Sequence, residues 1–343
     1  MFKLTEFTEG HIEQATRIAM ANYEEERASV PVLPPVSVFP DLSRFADNRL
    51  GVAAFEDGQM VGFLCCYNPR EHHFGLTRGT FSPIHAHGTV KTNRRMIYSR
   101  LYQAAAELWV QKGILSHAIA LYAHNAEAVQ SFFWNGFGLR CIDAIRPVEK
   151  LTCERKTSSR AARNLCVSTV EILTCERETG YESFELPSAE ASKLLPLKNL
   201  LITHLAQSPM FLPNSQFTEA EMVETARRRN SRFFCAKRKD DTDGIIAYIE
   251  LMESGENFAC DDPLMVNICG ACMLPQYRGS GLYTELLAFL LQTLKAEGYT
   301  RLGVDFESFN PTARGFWLRY FTPYTYSVAR RIDERICPNL AQS

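Results

Sequence analysis

The sequence predicts an α/β protein built from two copies of one domain. A strand-like run, a glycine turn, a helix-like run and a second strand follow one another between residues 264 and 307. Similar patterns recur on the two sides of a polar segment. Three pairs of identical residues share one spacing of 185 positions: Gly113 and Gly298, Asn125 and Asn310, and Ala128 and Ala313. One spacing for three pairs favours an internal repeat.

The polar segment sets the predicted domain boundaries. Residues 149–164 hold small and basic side chains and few large apolar ones, which is typical of a linker, and we take the linker as residues 149–179. The predicted domains are therefore residues 1–148 and residues 180–343. Each copy has the length of a small α/β domain.

Composition and charge narrow the classes of function. The 343 residues are 46% hydrophobic and carry a formal net charge of -2, so we expect a substantial core and no nucleic-acid partner. The charged N-terminus and the lack of a long apolar run predict neither a signal peptide nor a membrane span. Eleven cysteines, an odd number, favour reduced thiols and a cytoplasmic location.

The glycine turn at residues 279–281 has the features of an anion site. Leucines recur every four positions from Leu282 to Leu294, which predicts an amphipathic helix, and Gly298 fits its C-terminal cap. A helix N-terminus has free backbone N–H groups and a partial positive charge, so it attracts an anion. Glycine permits positive φ and a close approach of that anion to the backbone.

Two common phosphate loops do not fit this turn. A P-loop requires a lysine directly after its last glycine, and none follows here. A dinucleotide fingerprint requires a third glycine, which GSGLYT at residues 279–284 lacks.

The turn and its surroundings resemble the acetyl-CoA site of the GNAT superfamily, the Gcn5-related N-acetyltransferases. The resemblance rests on Pro275, Tyr277 and Arg278 before the glycines, on Gly298 after one helix, and on NPTARGFW at residues 310–317. It covers nearly all of residues 180–335 and, more loosely, residues 1–148. It implies two tandem GNAT-fold domains, each with a central mixed sheet flanked by helices, and acetyl-CoA as co-substrate.

The resemblance also implies which residues bind the cofactor. Residues 273 and 274 would face the pantetheine arm, and residues 278–282 would hold the pyrophosphate. The asparagine at position 310 would contact the CoA arm, although it fits a helix N-cap equally well. The predicted cofactor-binding residues are Met273, Leu274, Arg278, Gly279, Ser280, Gly281, Leu282, Tyr283 and Asn310.

Several positions depart from the family pattern. Tyr283 stands where the family has a small residue, so it would either crowd the pyrophosphate or hydrogen-bond to it. Trp317 replaces the tyrosine that often serves as general acid, and indole has no titratable proton at working pH. In the first copy, Arg94 and Met96 fall on the two loop glycines, which predicts a GNAT-like fold without the CoA site.

Acetyl transfer to an amine requires a base for the ammonium proton and an acid for the leaving thiolate. We predict Glu250 as the base, although a solvent-facing strand carboxylate is the alternative interpretation. We predict Tyr320 as the acid, with Tyr324 and Tyr326 as competitors. The carboxylates Asp305 and Glu307, on the strand after the helix, are placed to orient a cationic substrate.

These observations predict an N-acetyltransferase that acts on an amine of a small molecule or peptide. No metal is expected, because His85 and His87 have no third ligand at a recognisable spacing. A non-catalytic acyl-CoA sensor is the alternative function, and a purely structural pair is a third. The acceptor and the oligomeric state cannot be predicted from the sequence.

Overall fold

A computed structural model describes residues 1–36, 38–73, 75–151, 180–213, 215–240 and 244–336. Most of the predicted linker, residues 152–179, lies outside the described residues. The chain forms two compact units. Unit 1 comprises Met1–Arg146, Glu253–Asn267 and Gly303–Ser343, and unit 2 comprises Pro147–Met252 and Ile268–Leu302.

Strands and helices alternate along most of the described chain. The strands are β1 Phe2–Glu6, β2 Val52–Glu56, β3 Gln59–Leu64, β4 Gly79–Ser82, β5 His87–Thr89, β6 Ser116–Tyr122, β7 Gly138–Pro147, β8 Tyr181–Leu186, β9 Arg232–Arg238, β10 Ile245–Met252, β11 Met265–Met273, β12 Arg301–Glu307 and β13 Thr322–Arg331. The helices are α1 Ile12–Ser29, α2 Ser43–Asp47, α3 Arg94–Gln111, α4 Ala126–Trp134, α5 Leu195–Ala206, α6 Glu219–Arg229, α7 Leu282–Ala296 and α8 Pro311–Tyr320. The predicted α/β class is confirmed.

Unit 1 contains an antiparallel sheet in the order β1-β2-β3-β5. Successive side chains of β2 point to opposite faces. Ala54 packs in the cluster that contains Leu101 and Trp109 of α3, whereas Ala53 packs in the cluster that contains Ala15 of α1. The indole N–H of Trp109 donates to the Leu50 carbonyl at 2.8 Å. Helices therefore cover both faces of this sheet.

A second set of strands in unit 1 follows the order β4-β6-β13-β7-β12. β4 runs parallel to β6, while β13 pairs antiparallel with both β6 and β7. Ser327 of β13 lies opposite Ala120 on one side and Cys141 on the other. β13, a strand of the second repeat, thus lies between two strands of the first repeat.

The internal repeat predicted from the sequence agrees with the elements. β6 and β12 have equal lengths and lie 185 residues apart, and α4 and α8 begin 185 residues apart. Asn125 and Asn310 cap these two helices in the same way, each accepting a hydrogen bond from the backbone N–H three residues later.

The compact units do not follow the order of the chain. Unit 1 takes α8, β13 and most of β12 from the second repeat. The boundaries at residues 148 and 180 therefore describe the repeat in the sequence. Their role as limits of two separate domains stays a prediction.

Unit 2 is built on strands in the order β11-β10-β9-β8. On one face, Phe233 and Tyr248 pack in a cluster with Leu197 of α5 and Met222 of α6. On the other face, the Phe234 ring lies 6.1 Å from Phe289 of α7. The leucines that predicted α7 are buried in the structure: Leu282, Leu286, Leu290 and Leu294.

Within the part of the chain that the structure describes, no helix combines the length and the apolarity needed to cross a bilayer.

Candidate functional site

The glycine loop of unit 2 adopts the backbone conformation that the sequence predicts. Gly279 has φ +78° and Gly281 has φ +90°, both in the left-handed region that other residues avoid. Gly298, after α7, has φ +91°, as expected of a C-terminal cap. No atom lies within 4 Å of the position that a Cβ would take at either loop glycine. The loop is therefore open to a ligand.

Two backbone donors of this loop are unused. Among the described residues, the N–H groups of Gly279 and Gly281 have no hydrogen-bond acceptor. Both precede α7, a helix of 15 residues whose N-terminus carries partial positive charge. The Arg278 side chain is exposed and forms no ion pair with the described residues. Amides, helix dipole and guanidinium together favour an anion here.

Other predicted cofactor residues stabilise the loop itself. The Ser280 hydroxyl donates to the Tyr277 carbonyl at 2.7 Å and accepts from the Leu282 N–H at 3.3 Å. The Leu282 side chain is 1% exposed, so it anchors α7 in the core. Met273 and Leu274 are half-buried at the end of β11, where the Leu274 N–H donates to the Ile246 carbonyl at 2.9 Å.

Tyr283 points back into unit 2. Its hydroxyl donates to the Tyr248 carbonyl of β10 at 3.0 Å. Burial raises the pKa of Tyr283 well above its ordinary value. In this conformation, the Tyr283 side chain therefore does not block the glycine loop.

Glu250, the predicted base, lies in a buried polar cluster of unit 2. Its side chain is 2% exposed, and its carboxylate accepts from the Lys198 ammonium at 3.1 Å and from the Ser231 hydroxyl at 2.9 Å. A Cβ at Gly270 of β11 would lie 2.7 Å from Glu250 Oε2, so glycine there leaves room for the carboxylate. The interpretation of Glu250 as a solvent-facing carboxylate is wrong, because the residue is 1% exposed.

Sequence reasoning missed the partners of Glu250. Lys198 belongs to α5 and Ser231 directly precedes β9, far from Glu250 along the chain. A single lysine within an apolar helix was the one available signal. It does not indicate which carboxylate the ammonium meets.

The remaining predicted site residues belong to unit 1. Asn310 is 6% exposed and accepts from the Ala313 N–H and from the Thr312 hydroxyl. Trp317 is 4% exposed and packs against Phe316 and Phe321. The N-cap interpretation of Asn310 is confirmed, while its contact with CoA stays a prediction.

The three tyrosines considered as general acid differ in exposure. Tyr320 is half-buried, with its ring 5.0 Å from that of Phe316, and Tyr326 is also half-buried. Tyr324 is 1% exposed, and its hydroxyl accepts from the Asn257 amide at 3.0 Å. Burial raises the pKa of Tyr324 well above its ordinary value. Tyr320 is therefore more accessible than Tyr324.

The first repeat lacks the glycine loop. Asn93, with φ +55°, precedes α3, and Arg94 is the first residue of that helix. Arg94 is 6% exposed and binds both oxygens of Glu25, at 2.7 and 3.1 Å. The start of α3 is thus buried at Arg94. The anion that Arg94 binds is a carboxylate of the protein itself.

Unit 1 also contains an acidic cavity of about 420 Å³. Asp305 and Glu307 of β12 line it, as do Asp143 of β7 and Glu256. The sequence indicated the first two as a pair on one strand. It did not indicate the other two, because only the fold brings their strand and loop beside β12.

Metal ligation finds no support among the described residues, which contain no group of three or more suitable side chains. His87 lies 2.6 Å from the Ala120 carbonyl through Nε2 and 3.1 Å from the Tyr98 hydroxyl through Nδ1. His85 packs against the rings of Phe39 and Phe45.

Comparison with known proteins supports the family resemblance. Residues 200–321 match the family described as the Acetyltransferase (GNAT) family. No curated protein sequence matches the chain significantly.

Solved structures resemble the chain over most of its length. A GCN5-related N-acetyltransferase from Sphaerobacter thermophilus is 11% identical, with a TM-score of 0.53 over 96% of this chain and 95% of that one. A tandem GNAT protein from the clavulanic acid biosynthesis pathway is 12% identical, with a TM-score of 0.43 over 96% and 98% of the two chains.

The family match and the first structural similarity agree. Residues 200–321 match the GNAT family, and the chain as a whole has the GNAT fold. Together with the internal repeat, this fits a tandem GNAT protein. Members of this family are generally acyltransferases.

Proposed function

We propose that the protein is an N-acetyltransferase that transfers the acetyl group of acetyl-CoA to an amine of a small molecule or peptide. The observation that supports this most directly is the pair of unused N–H groups at Gly279 and Gly281. They lie at positive φ before α7 and beside the exposed Arg278. The pyrophosphate of CoA is an anion of the kind that such a loop binds.

The donor residues fit this cofactor. The loop amides would bind pyrophosphate oxygens, and Arg278 would add a charge-assisted hydrogen bond. Met273 and Leu274 would present half-buried apolar surface to the pantetheine arm, and Asn310 would contact the same arm. Acetyl-CoA supplies the acetyl group as a thioester.

The chemistry then requires two proton transfers. As the N–C bond forms and the C–S bond breaks, the amine loses a proton and the thiolate gains one. Glu250 would accept the first proton and Tyr320 would donate the second. Since Lys198 and Ser231 occupy the Glu250 carboxylate, this role requires it to exchange one of these partners for the acceptor amine.

Release of free CoA against a panel of amines tests the function. The panel contains an aminoglycoside, a polyamine, amino acids and a peptide with a free N-terminus. We expect thiol release that depends on one class of amine and is lost in Gly281→Arg. Tyr320→Phe should lower kcat by about 10²-fold and leave the KM for acetyl-CoA unchanged.

Two outcomes would contradict the proposal. Acetyl-CoA binding without release for any amine would favour a non-catalytic acyl-CoA-binding module. Absence of acetyl-CoA binding would favour a structural pair of domains.

A further inference from the structure

The acidic cavity of unit 1 has room for a small molecule. Its lining includes Ala118 and Ala120 of β6 and Ser327 of β13, three small side chains on neighbouring strands. The alternate residues of β6, Ile119 and Leu121, instead pack with α3 in the core. The volume of about 420 Å³ lies in the range of small-molecule sites.

Four carboxylates line this cavity: Asp143, Glu256, Asp305 and Glu307. Asp143 accepts from the Asn257 amide at 2.9 Å and from the Thr325 hydroxyl. Asp305 forms no ion pair with any residue that the structure describes. One oxygen of Glu307 lies 3.6 Å from Arg140, while the other is fully buried and has no hydrogen-bond donor among the described residues.

Of these four carboxylates, Glu307 is paired with Arg140, whereas Asp305 has no ion-pair partner in the described chain. Burial, with the nearby carboxylates Asp143, Glu256 and Glu307, raises the pKa of Asp305 to about 8. Burial likewise raises the pKa of Asp143 to about 6. An ammonium group in the cavity would relieve the repulsion between these carboxylates.

Basic side chains line the same cavity. Arg70, His73 and Arg140 contribute to its wall. Burial, followed by the charges of Arg70 and Arg140, lowers the pKa of His73, which favours the neutral imidazole. Arg140 is paired with Glu307, whereas Arg70 is exposed and has no ion-pair partner in the described chain. Arg70 is therefore available to an acidic group of a ligand.

We propose that this cavity binds a small zwitterion of the amino-acid type, with its ammonium group at Asp143 and Asp305 and its carboxylate at Arg70. A diamine fits less well, because its second ammonium would meet two guanidinium groups. A metal ion fits less well, because the described residues contain no suitable ligand group. The proposal concerns unit 1 alone and does not rest on the acetyl-CoA site.

Calorimetric titration of the full chain with matched compounds tests this proposal. The panel comprises the common L-amino acids, their decarboxylated amines and their N-acetyl derivatives. We expect at least one amino acid to bind with Kd below about 1 mM, and its amine and its N-acetyl derivative to bind at least about tenfold more weakly. Failure of every amino acid to bind at about 10 mM, or equal binding of an amino acid and its amine, would overturn the proposal.

Two variants test separately the contacts of the ligand's ammonium group and of its carboxylate. Asp305→Asn should weaken binding of the amino acid by about tenfold or more, while Arg70→Gln should abolish the preference for the amino acid over its amine. Asp47→Asn and Arg100→Gln are the controls, since both residues are exposed in unit 1 and lie outside the cavity wall. Binding that is unchanged in both cavity variants would contradict the assignment.

Proton release gives an independent measurement. A bound ammonium group favours the ionised form of Asp305, so binding near pH 7 should release protons. Titrations in buffers of different ionisation enthalpy measure this release, which should fall in Asp305→Asn. Acetyl-CoA stoichiometry should be the same in all four variants, so failure of this proposal is distinguishable from failure of the proposed function.

Discussion

Gly279 and Gly281 combine positive φ with unused N–H groups, and no other residue type combines these at low cost. The sequence was sufficient to predict this loop, because two glycines before a leucine-rich helix are a local signal. The direction of Tyr283 was not predictable. Its hydroxyl meets the backbone of β10, a strand distant in sequence.

Gly281→Ala tests the conformational requirement at the loop. We expect a loss of about 1–2 kcal/mol in the free energy of unfolding, because an L-residue is forced into the left-handed region. Acetyl-CoA affinity should fall about tenfold as the loop amides reorient. Denaturant unfolding and calorimetry measure the two effects.

Gly315→Ala is the matched control. Gly315 lies inside α8, and a Cβ there would meet no atom within 4 Å. Alanine should stabilise the protein by about 0.5–1 kcal/mol and leave acetyl-CoA binding unchanged. Equal effects of the two substitutions would contradict the account of the loop.

Glu250→Gln tests the predicted base. We expect kcat to fall by about 10²–10⁴-fold with little change in acetyl-CoA binding. Since the substitution leaves the Lys198 ammonium buried without its partner, the double variant with Lys198→Met separates catalysis from stability. If the double variant folds and keeps kcat within about threefold of the parent, Glu250 is not the base.

Asp305 makes the free energy of unfolding fall as pH rises, because its pKa is raised in the folded chain. Its pKa is raised to about 8, so between about pH 4 and pH 8 the folded state binds this proton more tightly than the unfolded chain. The contribution of this proton to the free energy of unfolding is fully present below about pH 4 and is lost as pH rises to about 8. His85, His87 and His117, whose pKa values are lowered to about 4, act in the opposite direction below about pH 6.5.

Comparison of the free energy of unfolding at pH 6.5 and at pH 8 tests the contribution of the Asp305 carboxyl group, because the three histidines act below this interval. The parent protein should lose on the order of 1 kcal/mol of unfolding free energy over this interval, while Asp305→Asn should lose clearly less. Urea unfolding at the two pH values measures the difference. A parent protein that gains stability with pH relative to the variant would contradict the raised pKa.

For the secondary-structure elements, the sequence predicted the order of helix and strand along the chain. It did not predict which strands pair with one another. Leucine spacing predicted α7, and the run at residues 301–307 has the bounds of β12. The pairing of β13 with β6 and β7 was not predictable, because strand partners are set by contacts distant in sequence. Asp143 was missed for the same reason, since the register of β7 against β13 brings it to the cavity.

Val328→Ala tests the position of β13. Val328 is fully buried in a cluster with Leu101 of α3 and Phe132 of α4, so we expect a loss of about 1–3 kcal/mol in unfolding free energy. Amide exchange in β6 should accelerate with it. Thr322→Ala, at an exposed position of the same strand, should change stability by less than about 0.5 kcal/mol. A similar small effect at Val328 would contradict the pairing.

In the molecule as a whole, the two repeats differ at the glycine loop, which is the predicted acetyl-CoA site of the second repeat. Relative to the repeat, α3 begins three positions earlier than α7, so no glycine loop precedes it. Arg94 stands at the position of Gly279 and is engaged by Glu25. We therefore expect one acetyl-CoA site in each chain.

Calorimetric titration of the full chain with acetyl-CoA tests this central claim most directly. The account predicts one site per chain, lost in Gly281→Arg and kept in the control Met96→Arg, which alters the corresponding position of the first repeat at an exposed residue. Two sites per chain, or binding that survives Gly281→Arg, would contradict it.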